Sequence, residues 1–376
     1  MDESHFGINV VWTRSPGIGG SIKQKLDDFV VEERPLPFVE GNAGTAFLVE
    51  KRGLDTFETI QKIARALRVH KRSIGYAGLK DRYAITRQWM SVPRVAEGAV
   101  KKLDIPGLTI IETKSVGDGI HLGDLVGNAF TITVRGITLS QQETERRLRA
   151  LASEIAERGV PNFFGPRRFG QNRPVTHLVG KKIIHGDFEG AVFDYLALDF
   201  EGETGHVREA RKRLAKEKNY KAALGYFPRS LAYERALLQT LSEDDDPIEA
   251  LRSLPSGLKK LFIDAYQSYI FNVSLSRFLN DKNEVENFPV HVVGYKTALS
   301  SGAFDRIVEN VLKEEGVSEE NFFIEHMPEL SAKGTLRSAM IYPQIAYATA
   351  SGSATLKFDL KKGSYATSVL REITKS

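Results

Sequence analysis

The sequence predicts an α+β protein in which a strand-rich domain is interrupted by a helix-rich one, and three observations carry that expectation. Short runs of strand character fill the first third, a helical and more charged stretch follows Gly170, and strand character returns from about Arg337. Strand-rich ends around a helical middle are what one domain inserted into another produces. At 376 residues the chain is also too long for one ordinary core.

The elements follow in order. Phe29-Val-Val-Glu-Glu and Ala46-Phe-Leu-Val-Glu are short strands. Asp55-Thr-Phe-Glu58 forms a capping box for a helix to about His70, with Phe57, Ile60, Ile63 and Leu67 expected on one face. Ile85 to Val92, Leu108 to Val116 and Phe130 to Arg135 read as further strands. Ser140-Gln-Gln-Glu143 opens an amphipathic helix that stops at Gly159. In the middle, Arg229 to Leu241 and Leu258 to Leu279 are strongly helical, and an apolar stripe from Leu261 to Val273 marks core. Ser338 to Tyr342 and Ala354 to Leu360 then restore the strand pattern.

Composition narrows the chemistry. The 41% apolar and 27% charged fractions are those of a globular protein, and no apolar run reaches the length of a membrane span. The opening MDESHFGINVVW lacks the basic and apolar segments of a signal peptide, so a cytoplasmic protein without membrane association is expected. There are no cysteines, which removes disulfides, thiolate metal sites and a thiol nucleophile together. The eight histidines are scattered singly, without metal-ligand spacing, so no metal is expected. A net charge of +4 is a mild basic excess. Its clusters at Lys71-Arg72, Lys80 to Arg87, Arg167-Arg168 and Arg208 to Lys221 sit beside aromatics in several places, a mixture that suits RNA.

Three segments can carry chemistry. Gly75-Tyr-Ala-Gly-Leu-Lys-Asp-Arg-Tyr-Ala-Ile-Thr-Arg-Gln-Trp89 places one carboxylate, Asp81, between Lys80 and Arg82 in a glycine-bearing turn before a strand. Flanking cations favour the ionised form that a nucleophile or base requires. Leu125-Val-Gly-Asn-Ala-Phe130 reads as a turn at Gly127-Asn128 entering a strand, with Phe130 a core residue by type. Val160-Pro-Asn-Phe-Phe-Gly-Pro-Arg-Arg-Phe-Gly170 is a loop of rings and guanidinium groups suited to binding. Two other segments mislead. Ser15 to Lys23 is glycine-rich, yet its spacing differs from a phosphate-binding loop. Asp244-Asp-Asp246 precedes Pro247 and reads as a helix start.

AGLKDRYAITRQ around Asp81, GNAF at 127–130 and NFFGPRRFG at 162–170, in this order, resemble the signature of the TruD family of tRNA pseudouridine synthases. The entry strand from Ile22 to Glu32 and the closing Gly363 to Glu372 are similar too, so the resemblance spans the chain, and the long middle is closest to the archaeal and eukaryotic branch. Phe163 stands where the family pattern has tyrosine, and Pro166-Arg167 where it often has glutamine.

The resemblance implies a catalytic domain with a mixed, largely antiparallel sheet flanked by helices, built from residues 1–168 and 336–376. An insertion domain, helix-rich α/β in character, would span residues 169–335 and face it across a basic cleft. It implies isomerisation of a uridine in tRNA, at position 13, without a nucleotide or other cofactor. Asp81 would act at the ribose, Lys23 would pair with it, and Phe130 would support the flipped base. Asn128 would organise its turn, and Lys80, Arg82, Phe164, Arg167 and Arg168 would contact RNA. A monomer is expected. The competing class is a non-catalytic tRNA-binding chaperone of the same fold; a glycosidase would need two opposed carboxylates and a nuclease a metal cluster.

Overall fold

A computed structural model describes residues 3–170, 173–280, 282 and 284–375. The chain divides into two compact units, Thr13–Val160 with Ile341–Ser376, and Met1–Trp12 with Pro161–Met340. Residues 1–12, 161–168 and 336–340, expected with the strand-rich domain, group with the helical unit.

The strand-rich unit is built on one sheet. Its strands are β1 (Phe29–Pro35), β2 (Gly44–Arg52), β3 (Gly75–Tyr76), β4 (Ile85–Pro93), β5 (Leu108–Val116), β6 (Leu125–Arg135), β7 (Ala346–Ala350) and β8 (Ser353–Lys361). The order is β7-β8-β6-β1-β4-β2-β5, with β3 pairing β4. Only β1 and β4 run parallel among these pairs. The sheet is therefore mixed and largely antiparallel, as expected.

Helix α1 (Thr56–Leu67) begins where Asp55 accepts the Glu58 backbone N–H at 2.8 Å. Its buried face is Thr56, Thr59, Ile60, Ile63 and Ala64, whereas Phe57 is exposed. The cap was legible, though only its Asp55 half forms, since the Glu58 carboxylate faces Lys62 and Arg82 instead; the buried face is also shifted from the expected one. After the short α2 (Glu97–Lys101) comes α3 (Gln141–Arg158), capped by Ser140 and ended at Gly159. Helix α3 and the C-terminal helix Ala366–Thr374 cover one sheet face, where Leu148, Leu151, Ile155, Val369 and Ile373 pack with Phe29, Val31, Phe130 and Ile132. Each such aliphatic burial contributes roughly 1.5–3 kcal/mol.

Strand β6 begins earlier than the pattern suggested. Gly127 and Asn128 lie inside it, opposite Arg34 and Glu33 on β1 and Lys361 and Leu360 on β8. The expected turn at Gly127-Asn128 is therefore strand. Gly127 is required by proximity, because a Cβ there would lie 2.0 Å from the Leu360 carbonyl oxygen. The Ser15 to Lys23 segment uses its amides within the fold: Ile18 and Gly19 N–H groups donate to the Ile373 and Thr374 carbonyls.

The second unit holds α4 (Thr176–Ile184), α5 (Phe188–Ala197), α6 (Gly205–Glu217), α7 (Tyr220–Tyr226), α8 (Ala232–Glu243), α9 (Pro247–Ser253), α10 (Ser256–Asn280) and α11 (Ala303–Glu315). A small antiparallel pair, Pro289–Val292 with Thr335–Ser338, accompanies them. Asp246 caps α9 as the proline after it suggested. Helix α10 is the centre, and α4 approaches it closely at Gly180, where a Cβ would lie 2.0 Å from the Phe262 carbonyl oxygen. No helix among the described residues is long and apolar enough to cross a membrane.

Candidate active site

Asp81 follows β3 in the loop that leads into β4, and what surrounds it fixes where it points. Gln88 donates to the Gly78 carbonyl, the Thr56 hydroxyl donates to the Gln88 side-chain oxygen at 3.1 Å, and the Lys80 backbone N–H donates to Thr56 Oγ1 at 2.9 Å. This chain of bonds ties the loop to β4 and to the start of α1. Lys80 turns inward and pairs with Glu33 at 2.5 Å, with 5% and 0% of the two side chains exposed. Burial pushes the Glu33 carboxyl up, and the Lys80 ammonium opposes that shift.

The next side chain points the other way. Asp81 Oδ2 accepts from Lys23 Nζ at 3.1 Å, both groups being partly shielded. Lys23 adopts a left-handed backbone, φ +58°, ahead of a 3-10 turn at Leu26–Asp28, so the strand expected from Ile22 begins only at Phe29. Its ammonium also lies 4.3 Å from the centroid of the Phe29 ring. Phe29 meets Phe130 edge-on at 6.3 Å, and Phe130 stacks on Phe358 at 5.5 Å and 27°. Asp81, Lys23 and three phenylalanines thus form one continuous patch in the strand-rich unit. A carboxylate held beside an ammonium and next to flat rings can serve as a nucleophile or base toward an aromatic base and its sugar. Among the described residues, no group of three or more histidine, aspartate and glutamate side chains is arranged to hold a metal.

The family described as tRNA pseudouridine synthase D (TruD) matches residues 5–288 and 282–373. The chain belongs to the TruD family. A Methanosarcina mazei protein named "Probable tRNA pseudouridine synthase D" is 36% identical over 429 residues, covering 99% of this chain and 97% of that one. A Methanopyrus kandleri protein of the same name is 39% identical over 350 residues, 88% and 85% of the two chains. A crystal structure bearing the family name, also from Methanosarcina mazei, superposes with a TM-score of 0.81 at 34% identity, covering 99% and 97%.

Not every residue singled out for this TruD chain stands where the sequence reading put it. Phe130, core by residue type but given the flipped base to support by resemblance, is only 9% accessible. Lys80, read as an RNA contact, is held in the protein by Glu33. Asn128 organises no turn; it lies in β6, and its Oδ1 is buried without a partner among the described residues. Arg82 is exposed and only loosely paired, 3.5 Å from Glu58.

In the helical unit Phe164 is a core residue. Asn272 brackets its backbone by accepting from its N–H and donating to its carbonyl, and the Arg337 guanidinium lies 4.1 Å from its ring. Arg168 pairs with Asp264 at 3.6 Å, while Arg167 is exposed. The basic run from Arg208 is partly structural too: Arg211 is buried between Glu203 and Glu234.

Glu33, Thr56 and Gln88 position the loop and escaped the sequence reading. Glu33 carried a signal, since alternation puts it on the same face as Phe29 and Val31. A carboxylate on the buried face of a strand asks for a cation.

Proposed function

We propose that this chain converts a uridine in tRNA to pseudouridine, with Asp81 as the group that acts at the ribose. The bond from C1′ to uracil N1 breaks, the base turns, and C1′ joins C5; N1 gains a proton and C5 loses one. Atoms are conserved and nothing is oxidised. Asp81 either attacks C1′ or removes the C2′ proton to give a glycal. Lys23 keeps the carboxylate aligned, and Phe130 offers its ring to the extruded base. The observation that carries this reading is the Lys23–Asp81 pair at 3.1 Å beside the Phe29–Phe130 rings.

The position-13 uridine of tRNA is the proposed target. The test is incubation of Asp81→Asn with tRNA, followed by nucleoside analysis for the mass-silent isomer. Loss of product with tRNA affinity held within a few-fold supports the assignment. Turnover near wild type would sink it. A wild-type chain that binds tRNA without forming isomer would instead be a chaperone, and strand cleavage or base release would mark a hydrolase.

A further inference from the structure

Helix α1 has a solvent face that the chemistry above does not use. Its first turn is bonded to the Asp81 loop: the Lys80 backbone N–H donates to Thr56 Oγ1 at 2.9 Å, and Arg82 lies 3.5 Å from Glu58. From that turn Phe57, Gln61, Arg65 and Arg68 recur every three or four residues, and all four are exposed. At 1.5 Å of rise per residue the stripe runs for about 16 Å. It leads to the short turn Lys71–Ser73, where Lys71 and Arg72 are exposed as well.

Folding accounts for neither the charge of this face nor its apolar end. The stretch from Lys62 to Arg72 holds five basic residues and no acidic one. Lys62 lies 3.7 Å from Glu58, but Arg65, Arg68, Lys71 and Arg72 have no ion-pair partner among the described residues. One cation is enough to complement the carbonyls at a helix C-terminus. Further cations at this spacing repel one another, a cost that a bound polyanion removes. At the other end Phe57 is 55% exposed, although Ile60 and Ile63 beside it are buried. Its ring meets Tyr76 edge-on at 6.3 Å, and Leu79 of the Asp81 loop is 56% exposed. Flat apolar groups for bases beside cations for phosphates are the mixture that RNA takes up.

We propose that this face of α1 is a docking surface for RNA. Arg65, Arg68 and Arg72 hold backbone phosphates of the stretch flanking the target uridine, and Phe57 supports an unpaired base of that stretch. The assignment rests on RNA being the substrate. A strand whose ribose lies at Asp81 passes the first turn of α1, because the residue before Asp81 is bonded to that turn. An acidic protein would satisfy the arginines equally, but it gives no reason for the surface to begin beside the catalytic carboxylate.

Fluorescence anisotropy of labelled tRNA with the full chain measures this contact without any isomerisation step. Arg65→Gln, Arg68→Gln and Arg72→Gln together should weaken binding by about ten-fold or more and lower the slope of log K against log salt by about 2–3. A control that loses equal charge from exposed sites elsewhere, Lys282→Gln with Lys296→Gln and Lys333→Gln, should change the slope by less than about 1. Phe57→Ala should weaken binding by about five-fold or more at an unchanged slope, since stacking releases no counterions. Thermal melts check that each variant folds. Wild-type affinity and slope in the folded arginine variant would overturn the surface and leave the catalytic reading intact. Equal losses in the arginine and lysine variants would reduce the effect to net charge and overturn it too. Wild-type affinity in Phe57→Ala would strike the base contact, and a wild-type chain that does not bind tRNA would remove both readings.

Discussion

Lys80 and Glu33 form a buried ion pair at 2.5 Å, one residue before the carboxylate proposed to act on RNA. Neighbouring side chains in this loop face opposite ways, so the inward pair anchors the loop and leaves Asp81 facing Lys23. Removing Lys80 would strand the Glu33 carboxylate in the protein. Lys80→Met is therefore expected to destabilise the chain by about 3–5 kcal/mol, and a Glu33→Leu second change should recover most of that. Chemical denaturation of the single and double variants measures both. A double variant as unstable as the single one would mean the pair is no anchor.

The same pair changes the expected footprint of RNA. Exposed Arg82 and buried Lys80 are adjacent in sequence to Asp81, yet of the two only Arg82, loosely paired with Glu58, is exposed enough to meet a phosphate. Affinity for tRNA should fall steeply with salt, because neutralised phosphates release counterions. Arg82→Ala should reduce the slope of log K against log salt by about 1. A flat salt response in the wild-type chain would remove the phosphate contacts altogether.

Lys23 links the carboxylate to the rings, and its role separates from folding. Both Lys23 and Asp81 keep some solvent access, so Lys23→Met should cost roughly 1 kcal/mol or less in stability. The isomerisation rate should nevertheless fall by about a hundred-fold or more, since loss of a charge-assisted bond leaves Asp81 misaligned. Single-turnover rates beside thermal melts decide it. A folded variant with an unchanged rate would leave Lys23 outside the chemistry.

What the sequence disclosed, and what it hid, follows from how far each contact reaches along the chain. Caps and strand boundaries are local: Asp55 with Glu58, Ser140 with Glu143, and Asp246 before Pro247 all form as their spacing indicates. The patch around Asp81 was legible because its segment resembles a family, and bare spacing could not bring Lys23 to it across 58 positions. Lys80 misled because a lysine beside an exposed arginine looks like surface until β1 is laid beside β4. Phe164 misled for the same reason: α10 holds its backbone through Asn272 and its ring through Phe271, more than a hundred residues away. Aromatic-rich loops look like binding loops when the element that buries them lies far off in sequence.

Acid should loosen the strand-rich unit through Glu154 on α3. Burial alone would push this carboxyl up, but the Arg14 and Ser15 backbone N–H groups, the Ser15 side chain and Arg158 together hold it at about 2. Its folded value thus lies below the ordinary 4.5, so its stabilisation is present above pH 4.5 and is lost as pH falls toward 2. After allowance for solvent screening this amounts to about 1–3 kcal/mol. Glu154→Gln should be less stable than wild type at pH 7 and should lose less on acidification through that window. Parallel acid dependences for the two proteins would show that the carboxylate is not responsible.

Phe130 carries the sharpest conflict between packing and chemistry. Its ring is 9% exposed, stacked on Phe358 and touched edge-on by Phe29, so it belongs to the core whatever else it does. Phe130→Ala should then cost about 3–5 kcal/mol, and a lost activity in that variant would say little about the base. Phe130→Leu is the better probe, because it keeps an apolar side chain and should cost less than about 1.5 kcal/mol. It removes the flat surface while leaving the packing nearly filled. If the ring supports an extruded uracil, the leucine variant should fold and bind tRNA normally while its single-turnover rate falls by about ten-fold or more, since base–aromatic stacking is worth about 1–3 kcal/mol. Phe130→Tyr, which restores the ring, should regain much of the rate. A folded leucine variant with the wild-type rate would make Phe130 a core residue alone, and the base would have to rest elsewhere.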